Sequence, residues 1–479
     1  MGRATINQKT SEPRSSTRDL HFEDMARVGI ISLGCPKNLV DAEEILGEVQ
    51  KAGHRIETDI ECADVLIVNT CGFIKSAKEE SIDSILDAVR YKTNGACRSI
   101  IVTGCLAQRY GKDLAAEIPE IDAVLGLGKT GDVTRAIAET LAGNQIIDVG
   151  SPSAWWLESR NRVLSTAPWT AYLRVADGCD NRCTYCAIPS IRGGFRSRPA
   201  NVILEEAKAL ADLGVRELNL VAQDITRYGL DDGGHYTVAD LLKELAGIDG
   251  LRWIRLLYCY PTRITDELIE VIASHDKICK YLDVPLQHCS DAILKAMGRG
   301  GSKAEYIDTI GKVRAICPDI AIRTTFIVGF PGEIEAMFEE LLDFVRDMRF
   351  DRLGAFVFSP EDGTSAANLP NKVHHGTARK RCRMLMELQE CISLERNTSF
   401  VGSRMEILVE HVDGKHAIGR SYRDAPDIDG IVRIKDCTAN PGQFITVEIT
   451  DAEQHDLIGR HLHEHVGTQM RLNTNVFCI

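Results

Sequence analysis

Short apolar runs and amphipathic stretches alternate along the first third of the chain. Val28–Cys35 (VGIISLGC), Asp64–Cys71 (DVLIVNTC) and Ser99–Cys105 (SIIVTGC) are nearly continuous in apolar residues, the pattern of parallel strands buried on both faces. Segments with helical spacing follow them, such as Lys37–Lys51 and Ile74–Tyr91, and Ala123–Gly128 reads as a fourth strand. Strand–helix alternation over residues 26–143 predicts a doubly wound α/β domain. Residues 144–164 lose the pattern at Ser151, Pro152, Ser153, Trp155 and Trp156 and read as a linker.

The alternation returns from 165 to 395 as six strand–helix units. The strands are Ala171–Cys179, Glu217–Asp224, Arg252–Cys259, Tyr281–His288, Asp319–Gly329 and Arg352–Ser359; Val202–Leu213 and Glu333–Met348 are among the helices between them. Six such units predict a partial (β/α)6 barrel, a partly open relative of the TIM barrel, whose active site sits at the C-terminal strand ends. Over 398–462 the period changes again. Glu406–Val412, Ala417–Ser421, Gly430–Ile434, Phe444–Thr450 and Asp456–Gly459 are five short strands, punctuated by Gly414, Pro426 and Pro441-Gly442. They fit a small antiparallel β-barrel of the oligonucleotide-binding kind. Residues 1–25 and 463–479 read as tails, the first disordered.

The chain has 479 residues, 44% of them hydrophobic and 26% charged, an ordinary globular balance with room for about three domains. No apolar run approaches the roughly 18 residues that span a bilayer, and Met1–Met25 lacks the apolar core of a secretory signal. A net charge of −13 argues against a general nucleic-acid coat and favours a neutral or basic partner. Sixteen cysteines in a chain of this size, without a secretory signal, point to thiols kept reduced for metal chemistry in a reducing cytoplasm.

The most specific local signal is CDNRCTYC, a C-x₃-C-x₂-C run at Cys179, Cys183 and Cys186 that follows the first barrel strand. The next cysteine, Cys259, is far downstream. Three thiolates on a cubane iron–sulfur cluster leave one iron open to a small molecule. A second set is scattered: Cys35, Cys71 and Cys105 each end a predicted strand of the first domain. In an open α/β sheet the carboxyl ends of the strands build the site, and the helix N-termini that follow favour thiolates. Three cysteines at equivalent positions predict a second cluster; a single one would be an ordinary buried residue. The other ten, including Cys259 and Cys289, read as small core residues.

The triplet resembles the signature of radical S-adenosylmethionine (SAM) enzymes. That resemblance implies that the open iron chelates SAM and that Tyr185 is the aromatic residue commonly found beside the last cysteine. Across residues 26–462 the chain resembles the methylthiotransferases. SLGCPKNLVD, NTCGFI and TGCLAQ match around Cys35, Cys71 and Cys105, as do DGCDNRCTYCAIPSIRG and FIVGFPGE. LVAQDITRYG, VPLQHCSD and GRSYRDAPDIDG are similar to the ribosomal-protein branch of that family. The resemblance implies a three-cysteine N-terminal domain (26–143), a radical SAM core (165–395) and a TRAM domain (398–462). It implies two 4Fe–4S clusters, with SAM as both radical source and methyl donor. The expected product carries a methylthio group on the β-carbon of an aspartate in small-subunit ribosomal protein S-twelve, free or within a ribosomal particle. An electron donor and a sulfur donor are implied partners.

Other assignments come from position. Gln223, Asp224 and Gln287 lie at barrel strand ends and Arg323 and Thr325 in the fifth strand, which makes them candidate SAM contacts or else satisfied polar residues lining the barrel. Residues 398–462 hold seven Lys/Arg against eleven Asp/Glu, and Asp424, Asp427 and Asp429 share one loop. An acidic module repels RNA and attracts a basic ribosomal protein, so this loop is the candidate partner surface and no transfer-RNA substrate is expected. Two other readings share the cysteines: a transfer-RNA methylthiotransferase, and a non-enzymatic iron–sulfur sensor.

Overall fold

A computed structural model describes residues 25–152 and 162–462. The expected tails, and Ser153, Trp155 and Trp156 of the linker, lie outside the described residues. The first domain is a parallel sheet of six strands: β1 (Arg27–Ser32), β2 (Arg55–Ile56), β3 (Val65–Thr70), β4 (Ser99–Gly104), β5 (Ala123–Leu125) and β6 (Ile146–Asp148), in the order β2-β1-β3-β4-β5-β6. β3 and β4 are buried at every position, as continuous apolar runs require. Helices α1 (Pro36–Lys51), α2 (Lys75–Asn94), α3 (Cys105–Glu117) and α4 (Val133–Leu141) cover the two faces with separate apolar clusters. The edge strands β2 and β6 extend the four strands read from the sequence. Two or three residues are too few to show a period, and β6 falls within the expected linker.

The second domain is an open parallel sheet of six strands, β7 (Thr170–Arg174), β10 (Glu217–Val221), β11 (Trp253–Leu256), β12 (Ile278–Asp283), β13 (Ala321–Val328) and β14 (Arg352–Val357), ordered β14-β13-β12-β11-β10-β7. A two-residue ribbon, β8 (Ala176–Asp177) with β9 (Arg196–Ser197), follows the first strand. Alternate strand residues such as Ala171, Leu173, Leu218 and Leu220 face the outer helices in the largest core cluster. The intervening ones, including Tyr172, Val221, Trp253 and Tyr281, face inward and meet Val40 of α1 and Leu408 and Ala425 of the third domain. The inner layer is therefore shared by all three domains.

The third domain is a closed barrel of β15 (Arg404–Asp413), β16 (His416–Ser421), β17 (Val432–Lys435), β18 (Phe444–Ala452) and β19 (Leu457–His461). Its pairs are antiparallel except β17 with β19, which closes the barrel in parallel. The helix His375–Thr398 leads into it, and Asn397 donates to the carbonyl of Glu453 at 3.0 Å. This barrel stops the N-terminal end of the six-stranded sheet. Arg420 pairs with Glu217, the first residue of β10, at 2.6 Å, and Phe444 meets the Trp253 ring edge to face at 4.8 Å.

The acidic loop corrects the expected partner surface. Asp424 is 1% exposed and pairs with Arg352 at 2.6 Å. Asp429 accepts from the Tyr281 hydroxyl at 2.7 Å and lies 3.4 Å from Arg323. The loop enters the underside of the barrel, where Arg352 and Arg323 of the strands meet its carboxylates, and Asp427 alone of the three stays exposed.

Burial alone would raise the Glu217 carboxyl, but the charges and hydrogen bonds of Arg420 and Arg255 outweigh it and hold the group at about 2. A depressed carboxylate stabilises the fold above its ordinary value of 4.5, and that contribution is lost as pH falls toward about 2. Arg420→Met, which leaves this buried carboxylate to the longer 3.2 Å pair with Arg255, is expected to cost about 3–5 kcal/mol in urea unfolding at neutral pH. Glu217→Gln is expected to flatten the acid limb of the stability profile between 4.5 and about 2.

Candidate active site

Three strand-to-helix turns build the first triad. After β1, Gly34 takes φ +90 and Cys35 caps α1, its carbonyl accepting from Asn38 N at 2.9 Å and Leu39 N at 3.1 Å. After β3, Cys71 is held at both backbone groups by Ser81: its N donates to the hydroxyl at 3.0 Å, and the hydroxyl donates to its carbonyl at 2.9 Å. After β4, Gly104 takes φ +93 and Cys105 opens α3. Glycine is what lets these turns touch. A Cβ on Gly34 would lie 2.7 Å from Cys71 Cβ, and one on Gly72 would lie 2.8 Å from Leu106 N. The loops of the three cysteines are thereby drawn to one end of the sheet.

The second triad follows the same construction. Gly178, at φ +75, precedes Cys179, and a Cβ there would meet the Gly194 carbonyl at 2.0 Å. Cys179 N donates to Gly193 O at 3.1 Å, Thr184 N to Met297 O at 2.8 Å and Cys186 N to Cys183 O at 3.1 Å. Arg299 reaches Cys183 Sγ at 3.9 Å, its guanidinium stacked 4.2 Å over the Tyr260 ring. Tyr185 packs against the Ile293, Met297 and Phe330 cluster, and burial drives its hydroxyl well above the ordinary range.

All six cysteines are free thiols. Burial raises Cys71 and Cys179, and pushes Cys105 and Cys186 up to about 12. A bound cationic centre is what would hold such buried sulfurs as thiolates. Among the described residues no three His, Cys, Asp or Glu side chains converge closely enough for one metal ion. Both sets consist of cysteines alone, the donor chemistry that iron–sulfur centres use.

Cys105 of the first triad meets the segment that follows the second across the seam between the two domains. Cys105 packs in one apolar cluster with Leu127, Ala187 and Ile191, and Ala187 directly follows Cys186. Arg192, the last residue of the short helix α5 (Ile188–Arg192), is 1% exposed. It donates to Asp41 of α1 at 2.6 Å, to Asp177 at 3.1 Å and toward Cys105 Sγ at 3.7 Å. Burial opposes its charge, but the two carboxylates hold its pKa well above the ordinary value. Arg174 adds pairs to Asp41 and, at 2.5 Å, to Glu44. At the opposite edge of the sheet, Glu361, just beyond β14, binds Lys78 at 2.8 Å and Arg109 at 3.0 Å. Arg109 also holds the Gly72 carbonyl, beside Cys71, at 3.0 Å. The first domain thus spans the open side of the barrel from β7 to β14.

Lys37, two residues beyond Cys35, crosses this seam. Its Nζ lies 3.5 Å over the Tyr258 ring and 3.4 Å from the Ala222 carbonyl. Burial lowers its pKa, with the Cys35 charge acting in the opposite sense. Tyr258 itself holds φ +67 just past β11, a conformation costing roughly 1–3 kcal/mol that turns the chain out of the strand read through to Cys259.

The remaining candidates separate. Gln223 Nε2 donates to Asp177 at 2.9 Å, while its buried Oε1 has no partner among the described residues. Asp224 accepts from Asn181 at 2.9 Å and Arg263 at 2.7 Å. Gln287, at φ +72, donates its N to Thr325 O at 2.8 Å and accepts from Ile327 N through its carbonyl. Arg323 is committed to Asp283 at 3.0 Å and to Asp429. Lys37, Arg192, Tyr258 and Arg299 went unread in the sequence. Lys37 and Arg192 stand in the quoted stretches CPKN and SIRG, where only their cysteine neighbours carried a signal.

Residues 27–126 match the model for Uncharacterized protein family UPF0004, residues 173–345 that of the Radical SAM superfamily and residues 401–462 that of the TRAM domain. Ribosomal protein uS12 methylthiotransferase RimO of Pelotomaculum thermopropionicum is 50% identical over 437 residues, covering 90% of this chain and 98% of that protein. Its namesake in Geobacter sulfurreducens is 48% identical over 437 residues, with 90% and 98% covered. Among solved structures, the radical S-adenosylmethionine methyltransferase TsrM of Kitasatospora setae, with cobalamin and a 4Fe–4S cluster bound, aligns at a TM-score of 0.55. That alignment covers 72% of this chain and 77% of that one at 14% identity, a likeness of fold alone.

The glycine turns give a direct test of the first triad. Gly34→Ala is expected to displace Cys71 and to lower the iron and sulfide bound after anaerobic reconstitution by roughly half. Gly53→Ala has the same kind of backbone, φ +88, but nothing within 4 Å of the new Cβ. It is expected to bind as much iron as the parent.

Proposed function

Since the chain belongs to the family of ribosomal protein uS12 methylthiotransferases, we propose that it transfers a methylthio group to the β-carbon of an aspartate in uS12, the S-twelve protein of the small subunit. Cys179, Cys183 and Cys186 would hold a 4Fe–4S cluster that serves SAM, and Cys35, Cys71 and Cys105 would hold the second. When bound, the first cluster with SAM supplies a radical able to take an unactivated hydrogen, and the second cluster with a further SAM supplies sulfur and methyl. An electron donor and a sulfur donor complete the turnover.

The contact of Cys105 with Ala187 and Ile191 carries this reading, because transfer between two centres requires that they face one chamber. The polypeptide positions and shields. Arg192 ties the Cys105 turn to Asp177, whose other oxygen contacts orient Gly178 N at 2.9 Å and Gln223 beside the second triad. The buried Leu127, Ala187 and Ile191 keep water from Cys105 at this part of the seam, which favours radical chemistry. Net charge of the TRAM region, seven basic against eleven acidic residues, supports a basic protein over RNA as substrate.

Reconstituted enzyme offered uS12 and transfer RNA together, with SAM and a reductant, is expected to add the methylthio mass to uS12. Modified RNA with unmodified uS12 would overturn the assignment. Cys179→Ala is expected to abolish 5′-deoxyadenosine formation, whereas Cys35→Ala keeps that product and loses sulfur transfer.

A further inference from the structure

We infer that Arg299 sets the reduction potential of the centre at Cys179, Cys183 and Cys186, as a fixed positive charge that stabilises the reduced form. The inference rests on the proposed function, which places a 4Fe–4S cluster there. Arg299 lies in the segment MGRGG, residues 297–301, which follows the helix Asp291–Ala296. Hydrogen bonds join this segment to the cysteine loop. Thr184 N donates to the Met297 carbonyl at 2.8 Å, and Thr184 Oγ1 donates to the Ala296 carbonyl at 2.9 Å. Gly298 holds φ +63, and a Cβ there would lie 2.8 Å from the Arg182 carbonyl, so the close approach requires glycine. The guanidinium is fixed in turn. It donates to the Pro285 carbonyl and toward Cys183 Sγ at 3.9 Å, and it stacks 4.2 Å over the Tyr260 ring. The next residue, Gly300, donates its N to the Tyr260 hydroxyl at 2.9 Å, and its carbonyl accepts from the Tyr306 hydroxyl at 2.9 Å.

Its charge sets this contact apart from the one at the first triad. Arg192 also points at a cysteine sulfur, Cys105 Sγ at 3.7 Å, but Asp41 and Asp177 neutralise it. Among the described residues no carboxylate lies within ion-pair distance of Arg299. The carboxylates beside the second triad are already paired: Asp180 with Arg227 at 2.9 Å and Asp224 with Arg263 at 2.7 Å. A guanidinium keeps its proton at every pH the fold survives, so this charge stays in place in both oxidation states. Cysteine thiolates give such a centre negative charge, and reduction by an external one-electron donor adds one unit more without moving a proton. Net charge and hydrogen bonds to the sulfurs govern the potential, and Arg299 supplies a cation and an N–H donor at Cys183. Out of water its pull on the added electron is screened little.

The test is a redox titration of SAM-free reconstituted holoenzyme with dithionite and mediators, followed by electron paramagnetic resonance. Cys35→Ala and Cys179→Ala preparations assign each signal to its triad. Arg299→Gln and Arg299→Met are expected to keep the iron content and to lower the reduced-to-oxidised ratio of the Cys179 centre, at a fixed potential, by about tenfold, or about 59 mV for one electron. The Cys35 centre of the same variants is expected to stay within about twofold of the parent. Arg299→Lys keeps the charge and is expected to hold the ratio within about threefold. An unchanged ratio in both neutral variants would overturn the inference, as would an equal shift at the two centres. Loss of iron in both would also overturn it and make Arg299 a brace for the Cys183 loop. The titration uses neither uS12 nor RNA, so it does not depend on which of them is modified. A parent protein whose Cys179 triad takes up no iron would instead remove the proposed function, and this inference with it.

Discussion

A single buried guanidinium, Arg192, joins the two halves of the site. It is shared by Asp41 from the first domain and Asp177 from the barrel, and its edge reaches Cys105 Sγ. Taking three such charges out of water costs several kcal/mol per ion, and only close, complementary geometry offsets it. The network is therefore intolerant of sliding. With Arg174 on Asp41 and Glu44, it sets α1 against β7 in one register and brings the two cysteine turns together.

A six-stranded parallel sheet cannot close on itself as an eight-stranded barrel does, so its inner face must be covered by something else. Here two other domains do so. Val40 of α1 enters from the open side, Leu408 and Ala425 from below, and the strand residues fill the rest. Ion pairs at the rim, Arg109 and Lys78 to Glu361 on one side and Arg420 to Glu217 beneath, orient the covering domains. The same constraint leaves only one end of the strands to the cysteine turns. The TRAM barrel stops the N-terminal ends of the strands, and the cysteine turns surround the C-terminal ends.

Much of the plan was legible because it is local. The runs ending at Cys35, Cys71 and Cys105 are strands, and the glycines that precede two of them end those strands where the reading placed the turns. The six barrel strands were read within a few residues. The errors have local causes too. LLYCY looks like strand to its end, yet the chain turns at Tyr258, and β2 and β6 are too short to carry a period. The acidic loop was misread for the opposite reason. Asp424 and Asp429 look solvated in sequence, and only the arginines of β13 and β14, some 70 to 110 residues away, show that they are not.

By itself the sequence determined the order of strand and helix and the family, since motif spacing and hydrophobic period are properties of neighbouring residues. The tertiary structure decided which charges neutralise which. Arg192 finds Asp41 across 151 residues, Arg420 finds Glu217 across 203, and Lys37 reaches Ala222 across 185. No local pattern encodes such pairings. They exist only once packing has removed water and left each buried charge to the nearest group of opposite sign.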